Sequence, residues 1–68
     1  MARVEQEIRE IDVVALKEPM GKWPAGTEAT VVDDLGQDKI IEISNERGEA
    51  LDLPVVPVTN LVLIEKYS

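Results

Sequence analysis

Short runs of apolar residues alternate with turn residues along most of the chain, which is the pattern of an all-β protein. Val, Ile and Leu make up most of these runs, and their branched side chains pack well on a pleated sheet. Glycine or proline stands between most of the runs, as expected at turns. The predicted strands span residues 11–16, 27–33, 39–44, 49–56 and 61–64.

The connections between these strands predict how the strands are arranged. Residues 17–26 form a long irregular loop, two tight hairpin turns follow, and residues 57–60 suit a single 3₁₀ turn. This order predicts a small five-stranded SH3-like barrel, and a five-stranded meander would give a similar pattern. Pro54 lacks an N–H, so the fourth strand is expected to lie on an edge or to break there.

At 68 residues the chain has room for one domain, with a lead-in before the barrel and a tail after it. The three segments are residues 1–10, 11–65 and 66–68. Val4, Ile8 and Ile11 are spaced as on one face of a helix, which predicts a short helical lead-in. An additional, extended edge strand is the competing prediction.

Alternation within the strands also predicts the core of the barrel. Successive side chains of a strand point to opposite faces, so every second apolar residue is expected to face inward. The predicted core residues are Val13, Ala29, Val31, Ile41, Ile43, Leu51, Leu53, Leu61 and Leu63.

Acidic residues outnumber basic ones by 14 to 7, which gives a net charge of −7 at pH 7. A field of this sign repels phosphate backbones and anionic lipids, so neither nucleic acid nor a membrane is an expected partner. The charge serves either solubility alone or an acidic face that recognises a basic protein. Because the chain has no cysteine and no apolar run of about 20 residues, we expect a cytoplasmic protein.

Side chains for the common kinds of nucleophilic catalysis are missing. The chain has no histidine and no cysteine, so neither Ser–His nor Cys–His pairs can form. Asp33, Asp34 and Asp38 surround a tight turn and supply oxygen atoms of the kind that Ca²⁺ and Mg²⁺ prefer. Their spacing does not follow the EF-hand loop, and aspartate is common in turns because it binds nearby backbone N–H groups. We therefore expect no catalytic residue, no cofactor and no metal site.

Two segments carry a recognisable pattern of apolar residues and glycine. Residues 12–16 read D-V-V-A-L, residues 24–32 read P-A-G-T-E-A-T-V-V, and a hydrophobic strand then ends in Glu42-Ile43. This pattern resembles a family of small bacterial proteins catalogued as domain of unknown function 4926. The resemblance extends over residues 11–64 and implies an SH3-like fold with no known catalytic residues.

The chain departs from that family pattern at two points. Glu28-Ala29 stands where the family commonly has a second glycine, and Ile43 stands where an aromatic residue is frequent. The run A-G-T-E-A-T-V-V is also similar to the KOW-type barrels of ribosomal and transcription proteins. The acidic charge of this chain argues against the RNA contacts of those barrels.

Two segments and one turn are candidates for contact with a partner. Trp23 lies in the long loop and is a candidate cover over the open end of the barrel, a candidate binding hot spot, or both in part. Residues 53–58 contain two prolines and form either a protected edge or an exposed apolar ledge that accepts a partner strand. The predicted partner-binding residues are Trp23, Glu28, Asp33, Asp34, Asp38 and Glu42.

Charge, size and the missing catalytic side chains together predict a non-catalytic protein-interaction module. Its most specific form is an acidic neutralising protein, of the immunity or antitoxin kind, that covers a basic surface of its partner. The alternative is a structural accessory subunit of a larger redox or nucleic-acid complex. In both cases the expected partner is a protein.

Overall fold

In the computed structural model, which describes residues 8–66, strands β2 (Glu28–Asp34) and β3 (Asp38–Ser44) form the central hairpin of an antiparallel sheet. Gly36 lies in the turn between them with φ of 91°, a conformation that residues with a side chain rarely adopt. The remaining elements are β1 (Val13–Leu16), β4 (Ala50–Asp52), β5 (Val55–Pro57), a 3₁₀ turn (Val58–Asn60) and β6 (Leu61–Glu65). The predictions for residues 1–7 and 67–68, which include most of the lead-in and the tail, lie outside the described residues.

The strands follow one another through the sheet in the order β4-β3-β2-β1-β6, and β5 also pairs with β3. Every pairing is antiparallel. The last strand returns to pair with the first after the 3₁₀ turn, as predicted for an SH3-like barrel. The all-β, barrel-like fold is therefore confirmed.

Strands β4 and β5 are two halves of one edge strand. Ile43 lies opposite Asp52, and Ile40 lies opposite Val55, so both halves keep the same register against β3. Between them, the carbonyl oxygen of Pro54 accepts a hydrogen bond of 3.1 Å from β3. The predicted break occurs at this proline because its nitrogen has no hydrogen to donate to β3.

The core lies on the concave, inner side of the sheet. Its largest fully buried apolar side chains are Val14, Val31, Ile41 and Val56, one each from β1, β2, β3 and β5. Met20, Trp23, Val58 and Leu63 are partly buried and pack against this cluster. The buried cluster consists of Ile8, Val14, Leu16, Ala29, Val31, Ile41, Ile43, Val56 and Leu61.

The predicted core is wrong in two strands. In β1 the fully buried residue is Val14, opposite the buried Ala29, whereas Val13 is only partly buried. On the edge strand, Leu51 and Leu53 are 51% and 55% exposed. Apolar residues occupy both phases of this strand, so alternation alone could not show that Val56 faces inward.

The described end of the lead-in is a turn, not a helix. The N–H of Asp12 donates to the carbonyl of Arg9 (3.2 Å), and the N–H of Arg9 donates to the carboxylate of Asp12 (2.9 Å). Ile11 has φ of 77° and is 53% exposed, so the first strand begins at Val13, two residues later than predicted. Ile8 belongs to the core even though no helix forms at this point.

Candidate protein-interaction surface

The register of β2 against β3 decides which carboxylates share a face. Residues opposite each other in an antiparallel pair point to the same side of the sheet. Val31 and Ile41 are opposite each other and buried, so the next pair, Thr30 and Glu42, points away from the core. Glu28 lies two residues before Thr30 and therefore points to the same side. We call this convex side the outer face.

Two more carboxylates, those of Asp33 and Asp38, lie on the outer face. The register between β2 and β3 shifts between Val31 and Asp33, which leaves Asp33 opposite Ile40. Asp38 at the start of β3 lies opposite Pro57. Asp38, Ile40 and Glu42 occupy alternate positions of β3 and therefore point to the same side. Asp38 thus lies on the outer face, and so does Asp33, which is opposite Ile40.

The six strands place no basic side chain on this face. Lys39 is the only lysine or arginine in the six strands, and it is 5% exposed on the inner side. We call the four outward carboxylates the acidic outer face: Glu28, Asp33, Asp38 and Glu42.

Asp34 has a different role from its neighbour Asp33. It lies opposite Lys39 and forms an ion pair with the buried ammonium group. The hydrogen bond from Lys39, followed by the one from the backbone N–H of Gly36, lowers the pKa of the Asp34 carboxyl below its usual value. Asp34 therefore satisfies a buried cation and does not belong to the acidic outer face.

Trp23 packs against the core and is hydrogen-bonded to two other parts of the chain. The backbone N–H of Trp23 donates to the carbonyl of Met20 (N···O 2.9 Å), and the N–H of Met20 donates to the carbonyl of Trp23 (N···O 2.8 Å). The indole Nε1 donates to Oδ2 of Asp52 at 2.8 Å, and the Nζ atom of Lys22 lies 5.2 Å from the ring centroid. The ring is partly buried against the core cluster.

The structure separates Trp23 from the aspartate turn. Its partner Asp52 lies opposite Ile43, whereas Asp38 begins the same strand. At about 3.3 Å per residue, the five steps of strand from Asp38 to Ile43 span about 16 Å. Of the six residues predicted to bind a partner, four share the outer face, while Trp23 and Asp34 lie elsewhere.

An exposed apolar edge adjoins the acidic outer face. Leu53 and Val55 are 55% and 49% exposed, and Val55 lies opposite Ile40 on the outer side. In the same register, Leu53 is the neighbour of Glu42. The prediction that Leu53 belongs to the core is wrong, because the register continued from Val55 places Leu53 on the outer side. We call Leu53 and Val55 the apolar edge.

The turn after β3 is held by hydrogen bonds within the turn itself. The hollow beside Ser44 and Glu46 is open, and Asn45 holds that turn by accepting hydrogen bonds from the N–H groups of Arg47 (2.9 Å) and Glu49 (3.0 Å).

Within residues 8–66, no three carboxylates converge closely enough to hold a metal ion. The same residues contain no helix that is long and apolar enough to cross a membrane.

Compared with family models, curated protein sequences and solved structures, the chain matches none of them. Its resemblance to domain of unknown function 4926 thus stays a prediction from the motifs in residues 12–16 and 24–32.

Proposed function

We propose that this protein is a non-catalytic interaction module that binds a basic protein partner through its acidic outer face and apolar edge. One observation carries the proposal: four carboxylates share a face on which the strands place no basic residue, beside two exposed apolar side chains. Surfaces that bind proteins combine apolar contacts with a polar rim in this way.

The two parts of the surface have different energetic roles. Carboxylates on a solvated rim attract a basic partner over a distance and raise the rate of association. Leu53 and Val55 expose apolar area that a partner removes from water, which slows dissociation. A neutralising protein that covers a basic surface of its target needs both properties. The absence of cysteine supports a reducing, cytoplasmic setting for this binding.

A matched pair of charge-reversal variants tests the proposal. Asp33→Lys with Glu42→Lys changes the acidic outer face, whereas Glu18→Lys with Glu46→Lys changes exposed residues outside the strands. Each pair raises the net charge by four, from −7 to −3. The 68-residue chain and both variants are immobilised. A basic protein that the wild type retains is purified, and its association and dissociation rates are measured on each of the three.

The face variant should slow association by about tenfold or more and reduce its salt dependence, while the control should leave most of the rate intact. Thermal melts establish that both variants are folded. Equal losses in the two variants would show that only net charge matters, and equal retention would show that the outer face is not the site.

A further inference from the structure

Backbone hydrogen bonds show which polar groups of the edge strand are turned toward β3. The N–H of Ile41 donates to the carbonyl of Pro54, so these two residues form a hydrogen-bonded pair of the ladder. In an antiparallel ladder, such pairs alternate with pairs whose polar groups point to the other side. Pro54 and Val56 therefore turn their backbone groups toward β3, and Leu53 and Val55 turn theirs toward the open edge.

Only part of that open edge is able to pair with another strand. The N–H of Leu53 is taken by Oδ1 of Asp52, at 2.9 Å, and Pro57 has no N–H. Between Leu53 and Pro57, Val55 is thus the one residue whose N–H points outward and is available. The carbonyls of Leu53 and Val55 also point outward. Within residues 8–66, the ladder gives Val55 no hydrogen-bond partner on this side, because β5 pairs with β3 alone.

The prolines do not protect this edge as a whole. The missing N–H of Pro54 faces β3, so Pro54 does not block an approaching strand. Pro57 ends the accessible stretch on one side, and the irregular register around Leu51 ends it on the other. The open stretch between them is about five residues long, the usual length of a short strand.

Side chains beside this stretch indicate what kind of segment fits. A strand added at the edge would lie about 5 Å from Leu53 and Val55 and about 10 Å from Glu42 and Asp38 on β3. Lysine and arginine are long enough to lay their aliphatic stems across the two apolar residues and bring their charged ends to the carboxylates. A second copy of this chain would instead oppose carboxylates to carboxylates, at a net charge of −7 on each copy.

We infer that β4 and β5 bind an extended segment of the partner, with alternating basic and apolar residues, as an added β-strand. This inference rests on the proposed function and specifies how the partner is held. The partner residue opposite Val55 exchanges two backbone hydrogen bonds with it, and a further N–H reaches the carbonyl of Leu53. Main-chain bonds supply the attachment, and the basic side chains supply the selectivity.

The probe for this inference is a blocked six-residue peptide that alternates lysine with valine, added to the isotope-labelled full chain. Its control is a peptide of the same composition with the lysines and valines in two blocks. Amide exchange and chemical shifts are followed by NMR, residue by residue. At saturation, exchange of the Val55 amide should slow by about tenfold or more, and the block peptide should bind more weakly.

Two variants separate strand addition from attraction by charge. Val55→Pro removes the outward N–H and should weaken binding by about tenfold, whereas Val55→Thr retains it and should change binding by less than about threefold. Because proline could disturb the fold, the exchange measurement on the wild-type chain is an independent criterion. Peptide binding without protection of Val55 overturns strand addition but leaves the proposed function standing. Absence of peptide binding overturns the inference, and so does self-association through this edge. In either case, the proposed function is tested separately by the charge-reversal variants and the captured basic partner.

Discussion

The indole Nε1 of Trp23 donates a hydrogen bond of 2.8 Å to Oδ2 of Asp52, which lies 29 residues further along the chain. This bond joins the long loop to β4, and the ring packs against the core. Asp52 also accepts the N–H of Leu53, so one carboxylate fixes both the loop and the start of the apolar edge. The single tryptophan is therefore a spectroscopic reporter of this corner.

Acid should break this connection only at low pH. The bond from Trp23, followed by the bond from the N–H of Leu53, lowers the pKa of Asp52 below its usual value. A carboxyl with a lowered folded-state pKa stabilises the fold fully above its unfolded pKa, and this contribution is lost as pH falls through the folded value. We expect tryptophan fluorescence to change only below about pH 4, the ordinary range of an aspartate.

Asp52→Asn is the control for that titration, because the amide has a similar shape and does not titrate. Its fluorescence should lack the acid step while circular dichroism follows the same course as in the wild type. A fluorescence step at or above the ordinary aspartate range would contradict the lowered pKa.

Truncation of a core residue should be far more costly than truncation on the edge. Ile41 is 1% exposed, and Ile41→Ala should lower the free energy of unfolding by about 2–5 kcal/mol, because it removes buried methylene groups and leaves a cavity. Leu51 is 51% exposed, and Leu51→Ala should change that free energy by less than about 0.5 kcal/mol. Urea unfolding measures both. Similar losses in the two variants would contradict the observed facing of the edge strand.

The two partners of the Lys39–Asp34 ion pair should respond unequally to mutation. Lys39 is buried, so Asp34→Ala leaves its ammonium group without that carboxylate and should lower the melting temperature. Lys39→Met replaces the buried charge with an apolar chain of similar length and leaves an accessible carboxylate, so its melting temperature should fall less or rise. Melts of both single variants and the double variant measure the coupling. A greater loss in Lys39→Met would contradict this assignment.

Nucleic acid should not bind at physiological salt. The acidic outer face and the net charge of −7 repel phosphate, and binding to nucleic acid depends on cations that neutralise it. Fluorescence anisotropy with labelled single- and double-stranded DNA and RNA should show no change at micromolar protein. Binding that weakens as salt is added would support the KOW-like alternative instead.

Local sequence signals were sufficient for the element order. The glycines at 36 and 48 mark the two hairpin turns, and both adopt positive φ. Pro54 predicts the break in the edge strand because its chemistry acts on its own backbone. The acidic balance of the chain is likewise a property of composition alone. Such features depend on a residue and its immediate neighbours, so the sequence by itself determined them.

Facing and long-range pairing were decided only by the tertiary structure. Alternation has two phases, and on the edge strand both are apolar, so pairing with β3 had to select Val56 for the core and Leu53 for the surface. Trp23 and Asp52 meet only because the barrel folds the long loop onto β4. The bulge at Val32 similarly turns Asp33 outward and Asp34 inward toward Lys39, although the two aspartates are adjacent and chemically identical. A side chain's environment is set by the strand opposite it, which sequence periodicity does not specify.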